Sequence, residues 1–249
     1  MSTPTHDLTH DLEPLPLHVV LVPGFWLGAW AWDDVVPHLE AAGLVPHAVT
    51  LPGLGDVAED RSGVTRDDHV QAVLDVVAPL EGEVVLVGHS GGGAVVHEAL
   101  DRDPGRVRRV VYVDSGPLVD GASLFPDVPA EAVEVPLPSW EDLAAQGSSL
   151  DGVDEAGLAR FRARAVPHPA GVARGAVRLA DRARLDVPVT AICTSLPSEV
   201  LRQMAHPGPP LHTELGSLDA TYVDLPTGHW PMFSRPADLA EEIVRAARA

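Results

Sequence analysis

The stretch VVLVGHSGGGAVVHEAL, residues 84–100, constrains this chain more than any other. Apolar β-formers run into Gly88-His89-Ser90-Gly91-Gly92, and helix formers resume at once. A strand must therefore turn into a helix within a few residues. The pattern fits G-x-S-x-G, in which the serine sits on a turn so tight that side chains two positions before and after it would clash. Such a turn holds the hydroxyl at the C-terminal edge of a sheet, where ligands of α/β folds bind. The helix that follows aims its free N–H groups at the same place. Rival glycine loops fit poorly. A dinucleotide loop would need glycine where Ser90 stands, and a phosphate loop would need a lysine. The sequence has no lysine and no asparagine: all 17 basic residues are arginine.

The rest of the chain repeats the alternation of strand and helix. Strands are expected at 17–23, 44–51, 83–88, 108–114, 187–195 and 220–226. Helices are expected at 31–43, 66–80, 91–102 and 236–249. On the second of these Val70, Val73, Leu74 and Val77 share one face. Several strands are continuous apolar runs, which predicts a mostly parallel sheet with helices on both faces. Between 115 and 186 the alternation breaks down into Pro, Gly and acidic residues with helical pieces near 139–146 and 154–165. This segment reads as a helical cap inserted over one end of the sheet. Residues 1–16 read as a flexible leader, and 17–249 as one domain.

Composition narrows the function. A formal net charge of −19 disfavours nucleic acid and anionic membranes as partners. No apolar run reaches the length of a membrane span, and the polar, acidic N-terminus does not resemble a signal peptide. A cytoplasmic protein acting on a small molecule is expected, with its oligomeric state open. The single cysteine, Cys193, excludes an intrachain disulfide and a multi-cysteine metal cluster. It lies in an apolar strand and reads as core. No metal and no cofactor are expected.

A serine nucleophile needs a base and an oxyanion site. Among 12 histidines, His229 follows the last strand and precedes the last helix, on a loop that opens on the edge carrying Ser90. His89 reads as packed beneath the turn and His97 as structural, while nothing singles out His168, His206 or His212. The N–H groups of Gly91, just after the serine, and of Phe25, in the loop after the first strand, are the expected oxyanion donors. Trp26, Leu118, Phe125 and Trp140 are candidate pocket residues, with Leu124 and Phe161 beside them.

The segments GFWLGAWAWDDVVPHLEAAG (24–43) and GHSGGG (88–93) resemble the α/β-hydrolase superfamily, and within it the plant methylesterase and hydroxynitrile lyase group with its bacterial esterase relatives. One departure is Pro23-Gly24, where the family usually has His-Gly. The backbone donor survives, but a histidine that often braces the oxyanion loop is missing. The resemblance implies an α/β-hydrolase fold, a Ser–His–acid order and a cofactor-free site. It implies two places for the acid. After the strand before the last, the sequence offers Ser198 and then Glu199. At the tip of the strand after the nucleophile helix it offers Asp114. Asp114 leads and Glu199 is the alternative; Asp120 and Asp224 are minor candidates. The expected activity is hydrolysis of a carboxylic ester or related acyl compound through an acyl-enzyme. The alternatives are a small-molecule binding protein that has lost catalysis, or a hydroxynitrile-lyase-like enzyme, though such lyases usually add a lysine.

Overall fold

The computed structural model describes residues 15–205 and 214–249. Six parallel strands form the central sheet in the order β2-β1-β3-β4-β7-β8. They are β1 (Leu17–Val22), β2 (Val45–Ala48), β3 (Glu83–His89), β4 (Val107–Val113), β7 (Val189–Cys193) and β8 (Ala220–Asp224). The helices are α1 (Val36–Ala41), α2 (Arg66–Val77), α3 (Gly92–Arg102), α4 (Trp140–Ala145), α5 (Glu155–Arg164), α6 (Ala170–Arg174), α7 (Ser198–Ala205), α8 (Pro231–Ser234) and α9 (Pro236–Arg248). A short antiparallel ribbon, β5 (Glu134–Val135) with β6 (His168–Pro169), completes the set.

Alternate residues of the strands feed two separate cores. Val19, Leu21, Val85, Val87, Val111, Val113 and Ile192 pack with Leu39 of α1 and with Leu239 and Ile243 of α9. Val20, Val22, Val84, Leu86, Val110 and Tyr112 pack with Val70 and Val73 of α2 and with Val95 and Val96 of α3. Burial on both faces is why these strands read as unbroken apolar runs.

Local chemistry explains the helix starts. Thr65 and Asp68 form a reciprocal capping box at α2. Ser139 and Asp154 accept N–H groups at the starts of α4 and α5. The expected helix 31–43 is in fact divided into a 3₁₀ turn, Ala29–Trp32, and α1. Pro37 causes the break, because it can open a helix but has no N–H to continue one. The expected strand 44–51 shortens to β2, an edge strand that tolerates Pro46.

The segment between β4 and β7 holds α4, α5, α6 and the ribbon. The ribbon and α6 have no counterpart in the sequence reading. Residues 1–14 of the expected leader lie outside the described residues, as do His206 and His212. Pro16, counted in that leader, already touches the sheet: its carbonyl accepts from Glu83 N–H at 3.2 Å. Among the described residues no helix is long and apolar enough to cross a membrane.

The order of strands places the chemistry. β1 leads on one side to β2 and on the other to β3, so the chain reverses direction across the sheet between β1 and β3. Loops diverge at such a switch point and leave a crevice at the C-terminal ends of the strands. Phe25 follows β1 and Ser90 follows β3, so both stand at its mouth.

Candidate active site

Ser90 has a backbone φ of +50°, a left-handed conformation that costs a non-glycine residue of order 1–3 kcal/mol. The turn is held from both sides. Ser90 N–H donates to Val113 O at 3.1 Å, and Ser90 O accepts from Gly93 N–H at 2.9 Å and from the Ser115 hydroxyl at 2.5 Å. The glycines permit close approach. A Cβ at Gly88 would stand 2.6 Å from Val96 Cγ2, and one at Gly91 would stand 2.4 Å from the Phe25 ring.

Three side chains meet at the crevice. His229 Nε2 lies 2.8 Å from Ser90 Oγ, and His229 Nδ1 lies 2.6 Å from Asp114 Oδ2. Register makes this possible. Asp114 extends β4, the neighbour of β3, and its N–H still donates to Ile192 O of β7 at 2.9 Å. Its φ of +43° turns the side chain off the strand line. The turn after β7 then fills the carboxylate's remaining sites. Thr194 N–H and Ser195 N–H donate to Oδ1 at 3.1 and 2.9 Å, and the Ser195 hydroxyl donates to Oδ2 at 2.5 Å. Burial alone would push the Asp114 carboxyl up. The His229 hydrogen bond and charge, with the Ser195 groups, outweigh burial and hold it well below the usual carboxylate range. A carboxylate that accepts Nδ1–H leaves Nε2 as the acceptor facing Ser90.

The His229 loop is clamped elsewhere too. His229 N–H donates to Ser149 O at 2.7 Å and Gly228 N–H to Asp151 O at 2.9 Å, both partners lying between β4 and β7. Buried His89 donates Nε2–H to the His229 carbonyl at 2.7 Å. Burial foremost, and then His229, drive the His89 pKa far down, so the ring is neutral and carries its proton on Nε2. Sequence reasoning missed this bond, and missed Ser115 and Ser195. A lone serine in a loop carries no signal of its partner.

Phe25 and Gly91 border the same cavity as Ser90. Among the described residues neither N–H has an acceptor within the chain. The cavity measures about 440 Å³. Trp26, Leu118, Leu124 and Phe125 line it, with Leu143, Leu201 and Trp230. Trp140 does not. It packs against Phe161, 5.3 Å between rings, and under the Arg162 guanidinium at 3.8 Å. Phe161 is itself fully buried. These aromatic side chains found one another rather than the cavity.

Glu199 lies apart from His229. Its side chain is 72% exposed, accepts from Gln203 Nε2 at 3.0 Å and stands 4.0 Å from Arg202. Ser198, at the place the resemblance implied for an acid, instead donates its hydroxyl and N–H to Asp224, both at 2.7 Å. Asp120 accepts from Leu179 N–H at 2.9 Å. His97 shares a hydrogen bond with the Tyr112 hydroxyl inside the core, 2.8 Å long.

A model of the alpha/beta hydrolase family matches residues 19–242, and the chain belongs to that family. It is 28% identical over 257 residues to a pyrethroid hydrolase of Sphingobium wenxiniae, spanning 93% of this chain and 88% of that protein. It is 29% identical over 133 residues to methylesterase 17 of Arabidopsis thaliana, 51% of this chain and 48% of that one. The chain spans less than half of the first curated plant relatives it matches, 31%, 31% and 48% of their length. The crystal structure of a pyrethroid hydrolase from Sphingobium faniae JZ-2 superposes with a TM-score of 0.67 at 26% identity, covering 94% of this chain and 98% of that one.

Proposed function

We propose that this protein hydrolyses an uncharged carboxylic ester through an acyl-enzyme on Ser90. One observation carries the reading: Ser90, His229 and Asp114 form a continuous hydrogen-bonded line, 2.8 and 2.6 Å long, at the wall of a mostly apolar cavity. Ser90 Oγ attacks the ester carbonyl while His229 Nε2 takes its proton. Asp114 fixes the imidazole tautomer and balances the imidazolium. The Phe25 and Gly91 N–H groups, free of internal acceptors, hold the negative oxygen of the tetrahedral intermediate. As the carbonyl re-forms, the alkoxide leaves and takes the proton from His229. Water, deprotonated by the same nitrogen, then releases the acid and restores Ser90.

The cavity's size suits a small organic ligand, within the range of about 300–1,000 Å³ usual for such sites. Its apolar lining and the chain's net charge of −19 disfavour an anionic substrate. The segment 115–186 serves as the cap, since it supplies Leu118, Leu124 and Phe125 to the lining. Relatives named methylesterase and pyrethroid hydrolase support ester chemistry. A carboxylate 2.6 Å from His229 favours hydrolysis over the binding-protein alternative, which has no need of a paired base.

The test is labelling by a fluorophosphonate probe, followed by turnover of p-nitrophenyl esters of graded chain length. The wild-type protein should label and turn over, and Ser90→Ala should do neither while keeping its melting temperature. A folded Ser90→Ala variant with wild-type turnover would end the proposal.

A further inference from the structure

The oxyanion loop is held from the cap side, by residues that do no chemistry. Phe25 presents its ring to Gly91 and His168, with Phe125 tilted against it at 5.3 Å between centroids. Gly91 closes on one edge, where any side chain would clash. His168, from β6, lies flat on its face, with ring centroids 3.6 Å apart and planes 10° from parallel. The ribbon that carries His168, with Val166 just before it, also grips the residue after Phe25. Val166 N–H donates to Trp26 O at 3.1 Å, and Trp26 Nε1–H donates to Val135 O at 3.0 Å. Val135 is the pairing partner of His168 across the ribbon. Between them these contacts bracket a residue whose φ is +67°. A loop in that conformation persists only where its surroundings over-determine it.

The choice of histidine at 168 is itself informative. Its side chain is buried, and neither ring nitrogen has a hydrogen-bond partner among the described residues. Such a histidine is there for its flat face, not for its nitrogens. Burial foremost, then His69, Arg66 and Arg61 nearby, keeps the ring neutral.

We infer that His168 is a positioning residue of the cap: by stacking on Phe25 it sets where the Phe25 N–H points, so that the oxyanion site is complete only while the ribbon is docked. The inference rests on the proposed serine mechanism, in which that N–H holds the developing charge. Removing the stack leaves the donor present but misplaced. The loss then falls on the transition state, not on substrate binding.

The experiment compares His168→Ala, His168→Phe and Phe25→Leu on the full chain, with p-nitrophenyl ester as substrate and an alkyl boronic acid as tetrahedral mimic. His168→Ala should lower kcat at least about tenfold with KM within about twofold, as expected for a displaced oxyanion donor. Boronate affinity should fall by the same factor as kcat/KM. His168→Phe, which restores a flat face without nitrogens, should recover most of the lost kcat. Phe25→Leu keeps the N–H and removes the other half of the stack. It should reproduce the loss, and in the double variant the two effects should not add. Should His168→Ala melt below the assay temperature, Phe25→Leu against His168→Phe carries the same comparison. The inference is overturned if folded His168→Ala keeps its kcat, if the loss appears in KM, or if His168→Phe is as impaired as His168→Ala. A wild-type protein without esterase turnover overturns the hydrolase reading as well. Wild-type turnover with an unaltered His168→Ala overturns this inference alone.

Discussion

Asp114, just past the end of β4, and Glu199, at the start of the helix that follows the neighbouring strand β7, are two carboxylates near one edge of the sheet, yet their surroundings differ. The Asp114 side chain is 7% exposed, and its two oxygens take hydrogen bonds from His229, Thr194 and Ser195. The Glu199 side chain is 72% exposed and serves its own helix. The difference lies in the turn after β7. That turn spends its N–H groups on the β4 carboxylate next door, and the helix that follows takes Asp224 of β8 at its first residue. The chain after β7 thus donates to a carboxylate of each neighbouring strand, Asp114 after β4 on one side and Asp224 of β8 on the other. What makes an acid useful to a histidine here is thus the set of donors around it, more than its own place in the chain.

The comparison can be broken most easily at Asp114. Asp114→Ala should lower kcat at least about a hundredfold with little change in KM; loss of the triad acid in a serine protease costs about 10⁴. Steady-state kinetics on a folded variant decide it, and a loss confined to KM would remove Asp114 from the mechanism.

A second effect, about tenfold in the folding equilibrium, lies in acid stability. The folded pKa of Asp114 is held below that of an unfolded aspartate, near 3.9. Its stabilising contribution is therefore full above that value and is lost as pH falls towards the folded pKa. Below pH 4, urea unfolding of the wild type should lose stability more steeply than Asp114→Ala, by up to about 1.4 kcal/mol per pH unit. Parallel acid limbs would mean that the donors around Asp114 do not stabilise its charge.

The smallest effect belongs to Glu199. Glu199→Ala should change kcat by less than about threefold, since removing an exposed carboxylate with one i,i+4 partner perturbs little. If it instead matched Asp114→Ala, the contrast between the two carboxylates would fail.

Much of the sheet was legible because burial on both faces writes unbroken apolar runs. The serine turn was legible because close packing at Gly88 and Gly92 admits no side chain. The helical pieces near 139–146 and 154–165 were legible too, as α4 and α5. Pairing across space left no such trace. The ribbon has two residues per strand, too few to show a period. Ser195 and His168 look like any loop residues until their partners, 81 and 143 positions away, are brought beside them. Trp140 misled for a related reason: an aromatic residue in a cap has the same sequence signature whether it faces a cavity or another ring.

Outside glycine, among the described residues, left-handed backbone occurs at Trp26, Ser90 and Asp114 and nowhere else. These are the residue after Phe25 in the proposed oxyanion loop, the proposed nucleophile, and the carboxylate beside His229. Each would relax by about 1 kcal/mol or more if replaced by glycine. At Trp26 and Asp114 the lost packing and hydrogen bonds outweigh that relaxation, but at Ser90 little does, so a directed-evolution campaign that ranks variants by melting temperature alone would be drawn to Ser90→Gly and would remove the hydroxyl on which the proposed chemistry rests. For this scaffold, a thermostability screen has to read turnover in the same well.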